Sequence, residues 1–232
     1  MSNSDSQTSD NPSVKDESIL IIPVGDISAF ETACERDATD ENVRSAVLHL
    51  SGESIGPGMP ATLAAVQAAV VVGLSGQIDD RSLELAMAAD VRVCDASTTF
   101  ALTKTGQGEL PSDGATQRLP RLVGPGLAAD MLLTGRRISA QEALKFGLVT
   151  EITPDGNAPE RADQIAAEIA EHGRGASRFT KEAVIKGADI TLEQSLRLEA
   201  DLAILLHTDP ERAEGIDAFN ARRKPDFRPE DD

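Results

Sequence analysis

Short apolar runs mark the predicted strands in the first two thirds of the chain. Each is rich in Val, Ile or Leu and is bounded by polar residues, Gly or Pro, which favours a strand over a helix. One of them is apolar throughout, a pattern typical of a strand covered on both faces of a sheet. The predicted strands lie in SILIIPVG (18–25), VRSAVLHLS (43–51), the wholly apolar AAVVVGLSG (68–76), DVRVCD (90–95), a short stretch around Thr99 and Phe100, and LVTEI (148–152).

Helical patterns separate and follow these runs. DISAFETACERDA begins with an Asp or Ser cap, and SAQEALKFG begins with a capping box of Ser139 and Glu142 and ends at Gly147. TLEQ is a second capping-box pattern. Strands that alternate with helices predict an α/β layered architecture. The remaining predicted helices lie in MPATLAAVQA, in GPGLAADMLLTG, in ATQRL and between Pro159 and Arg222.

The length of 232 residues predicts one domain with a short tail at each end. Residues 1–17 are polar and acidic without an apolar core, so they predict a disordered tail rather than a secretory signal. We expect an α/β core at 18–155, a helical region at 156–228 and a short tail at 229–232.

Composition narrows the classes of ligand and compartment. The formal net charge is −17 and aromatic residues make up 3%, so neither a nucleic acid nor a membrane is an expected partner. Basic residues cluster locally around Arg136 and Arg222, which keeps an anionic small ligand among the candidates. Cys34 and Cys94 stand about sixty residues apart without metal-ligand spacing. We therefore expect a cytoplasmic protein without a bound metal.

An ordered series of motifs extends from Ser75 to Ile152. It consists of LELAMAADVRV, ATQRLPRLVG and LLTGRRISAQEALKFGLVTEI, and LEQSLRLEADLAILLHTDPERAEGIDAFNARRKPDF follows near the C-terminus. In order and spacing, this series resembles the crotonase (enoyl-CoA hydratase/isomerase) family. The resemblance covers roughly residues 18–228 but is weak before Ser75, where the chain looks shortened between two strands.

The resemblance implies a crotonase-like spiral of ββα units with a helical C-terminal region that forms trimers, often paired into hexamers. It also implies an acyl-CoA thioester ligand from fatty acid metabolism, with coenzyme A as part of the substrate and no other cofactor. The shared chemistry uses two backbone N–H groups, an oxyanion hole, to stabilise enolate-like charge on the thioester oxygen. Acidic side chains then transfer protons at the α or β carbon.

Glu84 is the first candidate catalytic residue. Its neighbours in LELAMAA are apolar, so we expect a buried carboxylate with a raised pKa, which favours proton transfer near neutral pH. By resemblance, it matches one of the two catalytic glutamates of the hydratases. The alternative is a structural glutamate stabilised by the dipole at a helix N-terminus.

The second hydratase glutamate is replaced. The FGxPE pattern of the family aligns with residues 100–104, so Lys104 stands in the position of that acid. We expect Lys104 to pair with Glu84 or Asp113, or to be solvated. Asp113 is the candidate substitute, because isomerase-like and dehalogenase-like relatives place an acid in this helix-initiating turn. The alternative is that Asp113 is the N-cap of the ATQRL helix.

The implied oxyanion hole departs from the family pattern. The family has a glycine-rich turn before the glutamate helix, whereas this chain has Asp79, Asp80, Arg81 and Ser82. By alignment, Arg81 supplies one backbone N–H, and Met59 in the loop SIGPGMP supplies the other. We expect Asp79 and Asp80 to oppose an enolate and the phosphates of coenzyme A, with Arg81 either neutralising them or filling the acyl pocket.

Residues for coenzyme A binding are implied in two places. The loop from Pro57 to Ala61 matches the family segment that holds the adenine. Phe219, Arg222 and Lys224 match aromatic and basic residues near the C-terminus of the family. The basic residues equally fit a role in complementing the dipole of the last helix.

Two functions follow from these residues. The first is an acyl-CoA-binding, enoyl-CoA hydratase/isomerase-like protein, for which isomerisation or slow hydration fits better than two-glutamate hydration. The second is a catalytically impaired crotonase-fold subunit with a scaffolding or assembly role, favoured by the altered turn and the shortened front half. For both we expect a homotrimer or hexamer, because apolar residues such as Leu196 and Leu202 exceed what one domain covers.

Overall fold

The computed structural model describes residues 17–53 and 55–227. The predicted tail at 1–17 lies outside these residues except for Glu17, and the predicted tail at 229–232 lies wholly outside them. The strands are β1 (Ile19–Ile21), β2 (Ser45–Leu50), β3 (Ala69–Leu74), β4 (Gln77–Asp79), β5 (Val91–Asp95), β6 (Thr99–Ala101), β7 (Ile138–Ser139) and β8 (Glu151–Thr153). The helices are α1 (Ile27–Thr39), α2 (Met59–Ala64), α3 (Asp80–Ala86), α4 (Ala115–Val123), α5 (Pro125–Thr134), α6 (Ala140–Lys145), α7 (Ala158–Ala170), α8 (Arg174–Gly187), α9 (Leu192–Leu206) and α10 (Glu211–Ala221), with a short 3-10 helix at Lys104–Gln107.

The central sheet has five parallel strands in the order β1-β2-β3-β5-β8. Alternate residues of β3 belong to two different cores. Val70 and Val72 lie in the larger core together with Leu83 of α3, whereas Val71 lies in a smaller core with Ala162 of α7. Both faces of β3 are therefore covered, as its uninterrupted apolar run predicts.

Helix α7 lies close to the sheet because the surfaces in contact carry small residues. The buried residues of α7 are all alanines, among them Ala158 and Ala162. Opposite them, Gly73 of β3 has no side chain, and a Cβ at that position would lie 2.8 Å from the Ala158 carbonyl oxygen. Any larger residue at Gly73 would push the helix away from the sheet. This close packing covers one face of the sheet, and the larger core on the opposite face includes residues of α1, α2, α3 and α4.

A second, smaller sheet contains β4, β6 and β7. The chain passes from β3 to β4 and from β5 to β6, so strands of the two sheets alternate and helices follow each pair, as expected for a spiral of ββα units. Interpreting the segment from Asp79 to Ser82 as a single turn is wrong. Asp79 ends β4, where it pairs with Ala101 of β6, and α3 already begins at Asp80.

Helix starts follow the capping patterns in the sequence. Asp26 caps α1 by accepting hydrogen bonds from two backbone N–H groups, and Thr191 forms both halves of the predicted capping box of α9. At α6 the box is only half formed. Ser139 accepts the N–H of Glu142 at 3.3 Å, but the Glu142 carboxylate binds Arg136 instead.

Helices α8, α9 and α10 form an outer layer that covers little of the core. In the part of the chain that the structure describes, these three helices bury only Leu202 and Ala218. Large apolar side chains on them stay exposed, including Val184, Ile185, Leu196, Ile204, Leu205 and Phe219. None of the helices within residues 17–53 and 55–227 is long and apolar enough to cross a bilayer.

Candidate active site

The first turns of α2, α3 and α4 meet on the larger-core side of the central sheet, and the Asp113 carboxylate connects them. Its Oδ1 accepts the backbone N–H of Gly58 at 3.2 Å, and its Oδ2 accepts the Nε–H of Arg81 at 3.2 Å. The backbone N–H of Asp113 donates to Glu84 Oε1 at 3.0 Å. We call Gly58, Arg81, Glu84 and Asp113 the helix-start cluster. It contains both candidate acids.

Glu84 is buried, as expected, with only 2% of its surface exposed. Its Oε1 accepts backbone N–H groups from Asp113 and Ala115, both at 3.0 Å. Burial raises the pKa of Glu84, and the negative charge of Asp113 adds to this, although the two N–H groups and Arg81 act in the opposite direction. The expected burial and raised pKa are confirmed, while the role of Glu84 in proton transfer stays a prediction.

The structural alternative places Glu84 at the N-terminus of a helix. The structure agrees, but that helix is α4 and not α3, to which Glu84 belongs. Glu84 lies in the second half of α3, which runs from Asp80 to Ala86, so the start of that helix is not its partner. Its carboxylate contacts the start of α4 instead, where Ala115 is the first helical residue. The Glu84 Oε1 atom therefore satisfies N–H groups at the N-terminus of α4 that lack acceptors within the helix. Holding α4 in place and presenting a carboxylate to the cluster are compatible roles for the same side chain.

The alternative interpretation of Asp113 as an N-cap is wrong. The residue at the cap of α4 is Gly114, which has a left-handed φ of 114° and contributes no side-chain cap. The Asp113 carboxylate contacts Gly58 and Arg81 instead, and 14% of the side chain is exposed. Glu84 accepts the N–H of Ala115 at the start of α4, so the Asp113 carboxylate is not needed as a cap and contacts the other helix starts.

The cluster has the chemistry of an acid and base pair. Burial favours the protonated form of Glu84, while the neighbouring Asp113 forms an ion pair with the Arg81 guanidinium. Two nearby carboxyl groups in unlike environments allow one to carry a proton and the other to accept one. This arrangement can move a proton to or from a substrate placed between the helix starts.

The two candidate oxyanion donors, Met59 and Arg81, both lie in the first turn of a helix. Met59 is the first residue of α2 and Arg81 the second residue of α3, so neither N–H has an acceptor within its own helix. Such N–H groups form the positive end of the helix and favour an anionic ligand. Gly58, whose φ is 84°, provides the turn that precedes the Met59 N–H. The oxyanion role of both groups stays a prediction.

The charged side chains of the segment from Asp79 to Arg81 all have partners. Asp79 accepts two hydrogen bonds from the Arg137 guanidinium, at 2.7 and 2.8 Å. Asp80 accepts the backbone N–H and the hydroxyl of Thr103, both at 2.7 Å. Arg81 pairs within the helix-start cluster and neutralises neither of them. Arg137 pairs with Asp79, whereas the contacts of Asp80 are with the uncharged Thr103. The expectation that the two carboxylates oppose an anionic ligand stays a prediction.

Lys104 does not enter the cluster. Its Nζ lies 2.8 Å from Glu109 Oε2, and this pairing raises the pKa of Lys104. The expected pairing with Glu84 or Asp113 is therefore wrong. Lys104 and Glu109 lie in and just after the 3-10 helix, which supplies a nearer carboxylate than the site does.

The implied ligand-binding residues fall in two separate places. Pro57 and Ala61 flank the start of α2 beside the cluster, and both are exposed. Lys224 pairs at 2.8 Å with a glutamate that follows α7, on the opposite side of the central sheet. Phe219 is 83% exposed, and Arg222 is the left-handed C-cap of α10. Within this chain, Pro57 and Ala61 therefore lie beside the helix-start cluster, whereas the three C-terminal residues do not.

Two contributors to the site are missed by reasoning from the sequence. Gly58 is one, although its place in GPGM, between a proline and a helix start, is a detectable signal for a left-handed turn. Thr103 is the other. Its contact with Asp80 depends on the pairing of β4 with β6, which no local pattern indicates.

Comparison with known proteins gives a consistent set of relatives. Residues 59–230 match the family described as Enoyl-CoA hydratase/isomerase. The chain is 36% identical over 172 residues to the 2,3-dehydroadipyl-CoA hydratase of Escherichia coli K12, covering 74% of this chain and 68% of that protein. It is 35% identical over 164 residues to the crotonyl-CoA hydratase of Syntrophomonas wolfei, covering 70% and 63%. The chain spans less than two thirds of the length of several such relatives.

Solved structures with the same fold include an enoyl-CoA hydratase from Bacillus anthracis. It has a TM-score of 0.76 and 29% identity, covering 85% of this chain and 88% of that one. An enoyl-CoA hydratase subunit from Geobacillus kaustophilus has a TM-score of 0.78 and 27% identity, covering 90% and 93%. These similarities confirm the α/β spiral expected from the sequence.

Proposed function

The chain belongs to the enoyl-CoA hydratase/isomerase family, and on this basis we propose that it binds an acyl-CoA thioester and transfers a proton at the α or β carbon of the acyl group. The observation that carries the proposal is the contact between Glu84 and Asp113 at the junction of three helix starts. A buried carboxyl with a raised pKa beside an ion-paired carboxylate is an arrangement suited to proton transfer.

The thioester oxygen would bind between the N–H groups of Met59 and Arg81. Both groups belong to helix first turns, so they are fixed in direction and sit at positive helix ends. Fixed donors of this kind stabilise charge that develops on the oxygen without having to reorganise during the reaction. The acyl carbons next to the thioester would then lie near Glu84 and Asp113.

Isomerisation or slow hydration fits these residues better than fast hydration. Hydration by two glutamates needs a second acid in the position of Lys104, whose ammonium group is paired with Glu109. Isomerisation removes a proton from one carbon and returns a proton to another, and one carboxylate or two can carry out these transfers. Glu84 and Asp113 can share these steps, and neither requires a metal or a redox cofactor.

Coenzyme A would bind along the exposed residues Pro57 and Ala61 at the start of α2, which border the proposed thioester position. Phe219 and Arg222 are exposed and remain candidates for contacts with the nucleotide. Lys224 is a weaker candidate, because its charge is paired with a glutamate near α7.

The second candidate function is a catalytically impaired subunit that scaffolds an assembly. The observation that favours it is the hydrogen bond from the Gly58 N–H to the Asp113 carboxylate, which lies beside the proposed oxyanion position. A carboxylate at that point competes with the thioester for positive charge. The absence of glycines between Asp79 and Ser82 favours the same alternative.

We also propose a cytoplasmic location and no nucleic-acid or membrane partner. The net charge of −17 supports this, because both of those partners attract basic surfaces. Cys34 and Cys94 are both free and buried, which is compatible with a reducing compartment.

We further expect the chain to assemble into a homotrimer or a hexamer through its outer helical layer. Exposed apolar residues of α8 border a groove of about 1230 Å³ between α4 and α8, lined in part by Leu122 and Val184, and α9 and α10 expose further apolar residues. Burying such surface against another copy removes apolar area from water. Light scattering at micromolar concentration should give three or six times the chain mass, and a monomer would contradict the prediction.

Turnover assays on two substrates test the proposed activity. Hydration of crotonyl-CoA is followed by loss of the conjugated-thioester absorbance, and isomerisation of a 3-enoyl-CoA by its gain. We expect measurable isomerisation and slower hydration. Binding of both substrates without turnover of either would favour the scaffolding alternative, and the lack of any binding would contradict the proposal.

A further inference from the structure

Asp80 has an unusual backbone conformation at the start of the helix that carries Arg81 and Glu84. Its φ is +42°, one of two positive values among the non-glycine residues that the structure describes. Side chains are disfavoured in this region, although Asp and Asn tolerate it better than other residues. The neighbouring Asp79 is ordinary extended backbone, with φ −116° and ψ 152°. The chain therefore changes direction abruptly at Asp80.

The Asp80 side chain is anchored at two points. Its Oδ1 accepts the backbone N–H of Thr103, and its Oδ2 accepts the Thr103 hydroxyl, both at 2.7 Å. The ladder between β4 and β6 ends one step earlier, at the pair Asp79 and Ala101. The two hydrogen bonds thus extend the connection between the strands beyond the last paired residues and hold the turn against the segment after β6.

The direction of the Arg81 N–H depends on this turn. That N–H belongs to the peptide group that follows Asp80, so the backbone dihedral angles of Asp80 determine where it points. A positive φ usually requires glycine, and this chain has none between Asp79 and Ser82. Asp80 reaches the same conformation through its tolerance of positive φ and its two bonds to Thr103.

We infer that Asp80 is a positioning residue that aims the Arg81 N–H at the thioester oxygen through its left-handed backbone and its anchor on Thr103. This inference rests on the proposed function. It assigns to Asp80 a structural role in the oxyanion hole. Asp80 acts through the Arg81 peptide group, without contact with the substrate.

Substitutions of Asp80 separate backbone conformation from side-chain charge. Asp80→Ala removes the anchor and leaves a residue that disfavours positive φ, whereas Asp80→Gly removes the same anchor but adopts positive φ freely. Asp79→Ala is the matched control, since it removes a carboxylate one residue earlier at an extended position. Thermal unfolding of each variant establishes that it is folded.

Two readouts distinguish positioning from general stability. The first is the carbonyl stretching frequency of bound butyryl-CoA labelled with ¹³C at the thioester carbon, which falls when hydrogen bonds polarise the carbonyl. The second is the division of the effect between kcat and KM. Losing one donor should lower kcat on the order of a hundredfold with little change in KM, because the donor acts mainly on developing charge.

We expect the wild-type protein, Asp79→Ala and Asp80→Gly to lower the carbonyl frequency relative to free butyryl-CoA, and Asp80→Ala to restore it toward the free value with the loss in kcat. Wild-type values in Asp80→Ala would overturn the inference, and so would an Asp80→Gly variant as impaired as Asp80→Ala. If the wild-type protein binds butyryl-CoA without any shift, the inference fails while binding stands. If it binds no butyryl-CoA, the proposed function fails and the inference with it.

Discussion

Glu84→Gln should lower the turnover of an enoyl-CoA by on the order of a hundredfold to ten-thousandfold while the protein stays folded. Glutamine keeps the oxygen that accepts the N–H groups of Asp113 and Ala115, so the start of α4 keeps its cap. It cannot exchange a proton with the substrate. The measurement is kcat on whichever enoyl-CoA is turned over fastest.

The matched control is Glu109→Gln, which makes the same chemical change in the exposed pair with Lys104. We expect it to retain wild-type kcat, because exposed ion pairs contribute little to stability. Full turnover in Glu84→Gln would return Glu84 to a purely structural role at the start of α4.

The same variant has an expected pH signature in stability. Burial raises the pKa of Glu84 above its unfolded value, so the folded protein binds this proton more tightly than the unfolded chain does. The stability from the protonated form is complete below the unfolded pKa and is lost as the pH rises through the folded pKa. Glu84→Gln has no such loss, so the Tm of the variant should rise relative to that of the wild-type protein as the pH increases from about 4 through the folded pKa of Glu84. A Tm difference independent of pH would contradict the raised pKa.

Asp113→Asn should lower kcat by on the order of a hundredfold or more. Asparagine retains an oxygen for the Gly58 N–H but loses the negative charge that accepts a proton and pairs with Arg81. The matched control is Asp189→Asn, which breaks the exposed ion pair between Asp189, just after α8, and Arg121 of α4. We expect no change in kcat in this variant.

The double variant tests whether the two acids act together. If Glu84 and Asp113 serve one proton-transfer sequence, Glu84→Gln combined with Asp113→Asn should be hardly slower than the worse single variant. The single variant Asp113→Asn also has an outcome that would contradict a catalytic role. Unchanged kcat with tighter binding of butyryl-CoA in Asp113→Asn would mean that Asp113 blocks the site and does not catalyse.

The parts of the fold that could be predicted from the sequence are those set by local patterns. β3 and α9 follow from an uninterrupted apolar run and from a capping box at Thr191, because each signal lies within its own element. β4 and β7 could not be predicted, since they have only three and two residues and exist through pairing with β6. Pairing between distant segments leaves no periodic pattern in either one.

The candidate site divides in the same way. The burial of Glu84 follows from its apolar neighbours, so its raised pKa could be predicted. The partners of Asp79 and Asp80 could not be predicted from the sequence. Arg137 compensates Asp79 and Thr103 anchors Asp80 because β4, β6 and β7 bring them together, although they are far apart in the chain. The sequence therefore shows both carboxylates but not that Asp79 is paired with an arginine and Asp80 is bound to Thr103.

A crystal structure with butyryl-CoA tests the central claim most directly, because this saturated thioester binds without reacting. The proposal predicts the thioester oxygen at about 2.7–3.1 Å from the N–H nitrogens of Met59 and Arg81, with the α carbon facing Glu84. A thioester bound elsewhere, with the Asp113 carboxylate still joining Gly58 to Arg81, would contradict it.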